Sequence, residues 1–528
     1  MQTATNATIT LASAIADRVG PNVLINDESE ARFLATDVYR TGVTPGAVVQ
    51  PPDRSALLAC LKVAFDLDAP IIIRGGGASY TDGYLATREN TLLIDTRALK
   101  SIEIDEAGGY VTVEAGVTWA ELKAALDPLK LRTPFWGPFS GIAATVAGSM
   151  SQNSISHGTG AYGVSGASVL SMEIATSSGE TFHTGSAAAG TKPISRSYGP
   201  DTTGLFLGDC GALGVKVTVT LPLISLRPAF EALSFSFQNF VALHAGMTAA
   251  CKAGLDDGHF ALSASLSQGQ IAREERAGRK TAIALSVLKN ARSMASGVAQ
   301  LAKMGMAGDR ALKDAEYSCH YLIDGADKKH AQAKAEELRR VMAEVAEEIP
   351  NTVPTVVQGM PFAPLFATLG PKGERWVPLH GILAHEDVLP FHVAYDAFVE
   401  ERKEQFAEFG VWTGGMFENV GSAGFLYEIA IYWEDARSIY HDTAVDADYL
   451  KNLPSYPENL KAREYISQLR DELIALYQAH NAGHFQIGKA YPFWDNLDSL
   501  TQNMIHSIRK TTDPSGLLNP DTLGMPAL

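Results

Sequence analysis

Hydrophobic and polar positions change rhythm along the chain. Between about residues 40 and 225 the apolar residues fall in short runs rich in valine and isoleucine, many of them ended by glycine. Ile71 to Ile73, Thr91 to Asp95, Tyr110 to Ala115, Val169 to Thr176 and Val215 to Leu221 read as strands, because such runs bounded by turn residues suit a pleated, mostly buried surface. Two helices interrupt them: Arg54 to Asp68, and one after Thr118, where Glu121 three positions on completes a capping box. From 226 to about 500 the texture is longer and more helical, with Ala/Lys/Arg/Glu-rich segments at Ile271 to Lys313 and Lys328 to Glu348, and aromatics concentrated between Trp376 and Trp494. Leu500 to Lys510 reads as a helix stopped by Asp513-Pro514. The pattern predicts an α+β fold in two units: residues 1–225 joined by the tail 500–528, and residues 226–499.

Length agrees, since 528 residues at roughly 100–200 per domain exceed one ordinary core. With 46% hydrophobic and 19% charged residues the composition is globular. The 43 basic and 59 acidic residues leave a net charge of −16, which repels a phosphate backbone and argues against nucleic acid as the main partner. One segment runs against that balance: Ile271 to Lys313 carries nine basic and three acidic residues, interleaved with Ile283, Leu285, Val287 and Leu288. It is read as a solvated helical face, or alternatively as a basic amphipathic helix for a membrane surface or acidic partner. Cys60, Cys210, Cys251 and Cys319 lie far apart and suggest neither a disulfide framework nor a zinc site. The start lacks a basic segment before its apolar residues and no apolar run nears the 18 or so of a membrane span, so a cytoplasmic location is expected.

Three glycine-rich segments carry the first chemistry. Ile71-Ile72-Ile73-Arg74-Gly75-Gly76-Gly77-Ala78-Ser79-Tyr80 is a strand running into a loop whose N–H groups can converge on an anion such as a pyrophosphate. Thr145 to Asn153 continues to Gly158, Gly160 and Gly163, which satisfy G-x-G-x-x-G. No strand precedes those glycines and a β-like run follows them, so the dinucleotide-binding βαβ reading fails on context. The third segment, Gly199 to Gly214, leads into the strand at Val215.

In order and spacing, RGGGxSY, TVxGxxxxN, GPDxxGLFxGxxGxLG and the closing DPxGLLNP resemble the flavoproteins of the vanillyl-alcohol oxidase and para-cresol methylhydroxylase superfamily. The resemblance implies a PCMH-type FAD-binding domain of two α+β subdomains and a cap domain that shapes the substrate pocket. It assigns FAD contacts to Arg74, Gly75, Gly76, Gly77, Ala78, Ser79 and Tyr80, to Pro138, Thr145, Gly148, Ser149 and Asn153, and to Gly160, Tyr162 and Val215. Family members often tether FAD to a histidine where this chain has Ala78, or to one in the cap where it reads Gly424 to Glu428. Neither stretch offers a histidine, so the resemblance implies non-covalent FAD.

For the substrate side the catalytic candidates are Tyr84, Gln486 and Lys489, in segments the resemblance points to, and His380 and Tyr427, chosen as a polar and an aromatic side chain of the cap. Tyr84 matches the tyrosine with which phenol-oxidising members hold a phenolate, and Lys489 could neutralise a phenolate or carboxylate. His380 beside Trp376 is a pocket candidate. His380, His385, Glu386 and His392 fit no standard metal spacing, and no metal is expected. The activity implied is removal of a hydride from a C–H bond next to oxygen, in an aromatic alcohol or para-substituted phenol, as part of aromatic compound catabolism. O2 or a redox carrier would accept the electrons, and the protein would be a homodimer. The runner-up is a 2-hydroxy-acid dehydrogenase of the D-lactate or glycolate type, favoured by a loose match of Gly483 to Gly488 to the G-E-H-G-I-G element. A flavin-bearing electron-transfer subunit is the alternative of another class.

Overall fold

The β-branched runs pair into separate sheets. In the computed structural model, which describes residues 10–255, 258–278, 284 and 315–528, Leu92–Asp95 lies between Ala47–Val49 and Ile71–Arg74, all parallel. Parallel strands are covered on both faces, and Ile71, Ile72, Leu92, Leu93 and Ile94 are accordingly fully buried. The helix Arg54–Asp66 makes the crossover, with Asp53 accepting from the Ala56 N–H as its cap and Leu57, Leu61 and Ala64 turned inward beside the free thiol Cys60. The far end of the chain completes this sheet: Leu518 bridges Ile71 in parallel, the Ile71 N–H donates to the Leu517 oxygen, and the Asn519 N–H donates to the Ile71 oxygen.

A second, antiparallel sheet runs in the order Ile102–Asp105, Tyr110–Glu114, Val215–Pro222, Ser171–Ala175 and Thr181–His183. The capping box at Thr118 is formed in both directions with Glu121 and opens the helix Trp119–Leu126. After Gly158 to Gly163 come only a short 3-10 turn, Ser165–Ser168, and then the strand Ser171–Ala175, which removes the dinucleotide βαβ reading in geometry as well as in pattern.

A third sheet of seven strands is antiparallel throughout and starts at Ala229, seven residues after Val215–Pro222 ends. Its order is Glu347–Ile349, Ala229–Phe237, Tyr317–Gly325, Gly258–Ser263, Trp412–Val420, Gly424–Trp433 and Arg375–Ala384. The segment Lys328 to Glu348 is not one helix: the helix Lys328–Met342 ends and Glu347–Ile349 pairs with Ala229–Phe237, because sheet-edge pairing overrides the helix-rich composition. Of the basic segment Ile271 to Lys313, Ile271 to Ala277 form the end of the helix Ala264–Ala277, and most of the remainder lies outside the described residues. Among the described residues no helix is long and apolar enough to cross a membrane.

The strand Gly424–Trp433 shows how this sheet divides its faces. Phe425 and Tyr427 pack against Phe240, and Tyr427 also against Phe391, side chains of the helices Phe240–Lys252 and His385–Glu401. The alternate residues Leu426, Glu428, Ala430 and Tyr432 line a cavity on the opposite face.

Candidate active site

One cavity of about 440 Å³ runs from the first glycine loop to the seven-stranded sheet. At one end its walls are Gly75 to Tyr80, Thr145 to Ser149, and Cys210 to Lys216, the last with only Ala212 and Leu213 set back from the surface. The glycines let these segments meet. A Cβ on Gly76 would lie 1.7 Å from the Ala143 carbonyl oxygen, and one on Gly75 would lie 2.5 Å from Thr145 Oγ1. Gly77 holds φ +73°, and a Cβ there would run into the Arg74 guanidinium at 2.0 Å. Among the described residues, the main-chain N–H groups of Gly76, Gly77, Ala78, Ser79 and Tyr80 donate to no protein acceptor. Consecutive free donors around a concavity suit a diphosphate. Lys216 Nζ and Asp209 Oδ1, 2.6 Å apart and both buried, stiffen the third segment.

Thirteen of the twenty residues nominated from the sequence reach this cavity: Gly75, Gly76, Gly77, Ala78, Ser79, Tyr80, Pro138, Thr145, Gly148, Ser149, Val215, Tyr84 and Gln486. Arg74 stands behind the loop, fully buried, with its guanidinium over the rings of Phe33 and Tyr84 and Nη1 donating to the Gly75 oxygen. Asn153 closes the helix Val146–Gln152 in a left-handed conformation, away from the cavity wall. Gly160 and Tyr162 sit in a short helix outside it, with Tyr162 partly exposed beneath the Arg132 guanidinium.

The nominated catalytic set does not converge. Tyr84 spends its hydroxyl on two main-chain oxygens, Thr36 and Gly77, each at 3.0 Å. Lys489 is outside the cavity, donating to Asn519 Oδ1 at 2.7 Å and to the Asp82 oxygen at 3.3 Å, and burial pushes its ammonium down to about 8. Tyr427 faces the helices and is hydrogen-bonded to His392 Nδ1 at 2.8 Å. His380 is fully buried, with its ring stacked at 4.0 Å on Phe485, a cavity residue, and burial pushes its imidazole down to about 3, so it is neutral at pH 7. The histidines between 380 and 392 also part company: His385 meets His244, and no group of three metal-binding side chains occurs among the described residues.

Glu428 is the residue that reading missed. It projects into the cavity from the middle of the strand Gly424–Trp433, where desolvation raises its carboxyl to about 7. Tyr80, itself hydrogen-bonded to Gln486, is close enough to feel the Glu428 charge. Trp376 and Phe485 wall the same corner, with Trp376 set edge-on to Tyr80 at 5.5 Å. Beyond it the lining is mostly apolar, including Phe260, Leu262, Val356, Phe362, Met416 and Ala430. The signal was present in the sequence: Glu428 is the single charged residue in GFLYEIAIYW.

Residues 45–185 match the FAD binding domain family. Over 98% of the chain the fold superposes on p-cresol methylhydroxylase with substrate bound, with a TM-score of 0.69, 13% identity and 96% of that chain covered. The 4-ethylphenol oxidase from Gulosibacter chungangensis gives a TM-score of 0.69 at 16% identity over the same shares. The chain thus carries an FAD binding domain and has the fold of these two flavoproteins. Relatives more similar in sequence include glycolate oxidase subunit GlcD of Escherichia coli K12, 31% identical over 221 residues, which are 42% of this chain and 43% of GlcD. D-lactate dehydrogenase of Archaeoglobus fulgidus is 28% identical over 216 residues, 39% and 47% respectively. The chain thus aligns with less than half the length of these curated relatives. FAD is its cofactor, and the three glycine segments are the residues that fit it.

Proposed function

We propose that the protein is an FAD-dependent oxidoreductase that removes a hydride from a C–H bond next to oxygen, in an aromatic alcohol or para-substituted phenol. The observation that carries this reading is a carboxyl poised near pH 7, Glu428, at the meeting point of the FAD cradle and a mostly apolar, aromatic-walled chamber. FAD supplies a two-electron acceptor when bound. Glu428 as carboxylate takes the substrate O–H proton as the C–H electron pair leaves, so that proton and hydride part to different acceptors. Tyr80 and Gln486 fix the oxygen beside it, and Phe485 and Trp376 hold an aromatic ring and exclude water.

Anaerobic mixing of the holoprotein with aromatic alcohols, para-alkylphenols and 2-hydroxy acids, followed by flavin absorbance, tests the reading. Bleaching by aromatic alcohols or alkylphenols is expected. Similarity to GlcD and D-lactate dehydrogenase favours the second reading, a 2-hydroxy-acid dehydrogenase, and bleaching by glycolate or D-lactate alone would establish it in place of the first.

FAD is expected to be held without a covalent bond. Among the described residues no histidine lines the cavity, Ala78 offers no nucleophile, and burial keeps the Cys210 thiol protonated by raising it to about 12. Acid precipitation should leave the yellow colour in the supernatant; colour in the pellet would refute this.

A further inference from the structure

The helix Ala264–Ala277 lays Leu266, Gln270, Arg273 and Glu274 along the cavity, the spacing of one helical face. Arg273 is only 5% exposed. Its guanidinium donates to neutral acceptors: Nη1 to the main-chain oxygens of Ala367 at 2.9 Å and Leu369 at 3.0 Å, and Nη2 to the Tyr432 hydroxyl at 3.5 Å. Glu274 and Glu374 are near enough to act on the same tyrosine, Tyr449, as Arg273 does, yet among the described residues no carboxylate forms an ion pair with Arg273. A buried cation with no direct ion pair is costly, and an incoming anion that pairs with it relieves part of that cost. The two carbonyls meanwhile hold the fork in one orientation at the cavity wall.

The strand Gly424–Trp433 sets the distance from the reacting corner. Tyr432 lies four residues beyond Glu428 on the same face, which is about 13 Å of strand at the usual rise. Apolar residues line the space between, Ala430 and Met416 among them.

We propose that Arg273 anchors an anionic group, a carboxylate or phosphate, at the far end of the substrate, about 13 Å along the strand from Glu428, beside which the carbon is oxidised. The inference rests on the oxidoreductase reading and narrows it to an apolar-bodied alcohol or phenol with a remote acid group. Glycolate and lactate carry their carboxylate on the reacting carbon and are too short to engage both ends.

The test uses the holoprotein and unreactive probes: phenylalkanoates from benzoate to 6-phenylhexanoate, the matching amides, and phenylalkyl phosphonates, titrated by the change they cause in flavin absorbance. In the wild type, the longer carboxylates or phosphonates should bind at least about tenfold more tightly than their amides, as a charge-assisted hydrogen bond implies. The carboxylate and phosphonate arms decide which anion is preferred. Arg273→Met should erase the preference while leaving amide binding within about twofold, and Arg273→Lys should keep part of it. Equal binding of carboxylate and amide by the wild type would overturn the anchor without any variant having to fold. So would a preference retained in a folded Arg273→Met protein. Anion preference with no alcohol or phenol able to bleach the flavin would instead overturn the reaction and leave the anchor standing.

Discussion

Glu428→Gln is expected to lower the rate of flavin reduction by about 10²–10⁴-fold, the usual share of a positioned general base, with FAD still bound. Stopped-flow bleaching at saturating substrate reads it; a loss under tenfold would remove Glu428 from the reaction. In the wild type the carboxylate is the active form, so the rate should rise with pH through about 7 and then level off. The variant should lack that limb. Stability moves the other way. The folded-state carboxyl is raised above its ordinary value of 4.5, so its contribution is fully present below about 4.5 and is lost as pH rises through about 7. Removing the ionisable group should therefore raise the Tm at pH 8, by an equivalent of about 3 kcal/mol, and leave it nearly unchanged at pH 4. A variant that is slower and also more heat-stable separates a catalytic role from a structural one.

The second large effect is expected at Gly76. Alanine there places a Cβ 1.7 Å from the Ala143 oxygen, and both partners are main chain, so neither can rotate aside. The first and second glycine segments must separate, and the Gly76→Ala protein should be isolated colourless or insoluble, with FAD affinity reduced more than about 100-fold if it folds. Gly109→Ala is the control. Gly109 has a φ of +73°, a left-handed conformation that Gly76 lacks, but nothing within 4 Å of a Cβ, so strain of about 1–2 kcal/mol is the only cost and the flavin should stay. Flavin content per chain after gel filtration distinguishes the two; a yellow Gly76→Ala protein would contradict the close approach of the segments.

The glycine segments and the strands that feed them were legible because their chemistry is local. A β-branched run ending in glycine places its loop without help from the rest of the chain, and the capping box at Thr118 needs only Glu121. The substrate side was less so. In GFLYEIAIYW both faces are apolar, since helices cover one and the cavity's apolar wall makes up the other, so alternation gives no hint of which parity faces the cavity. Tyr427 was assigned inward on residue type, and a shift of one position would have found Glu428. Lys489 failed for another reason: its partner Asn519 belongs to the C-terminal tail, and nothing near Lys489 in sequence announces that contact. Arg273 was visible only as one of nine positive charges in a segment read as surface, because its burial comes from main-chain oxygens 94 and 96 residues away.

The pairing of Leu518 with Ile71 has a consequence for biogenesis. The strand that ends in the first glycine loop acquires its edge partner from a segment far along the chain, and Asn519 also donates to the main-chain oxygens of Gly83 and Cys210 beside that loop. Until that segment has left the ribosome, the Ile71 edge is unpaired and open to other nascent strands. Cofactor capture should therefore wait for Leu517 to Asn519, and chains stalled before Leu517 should remain protease-sensitive at this sheet even with FAD in excess.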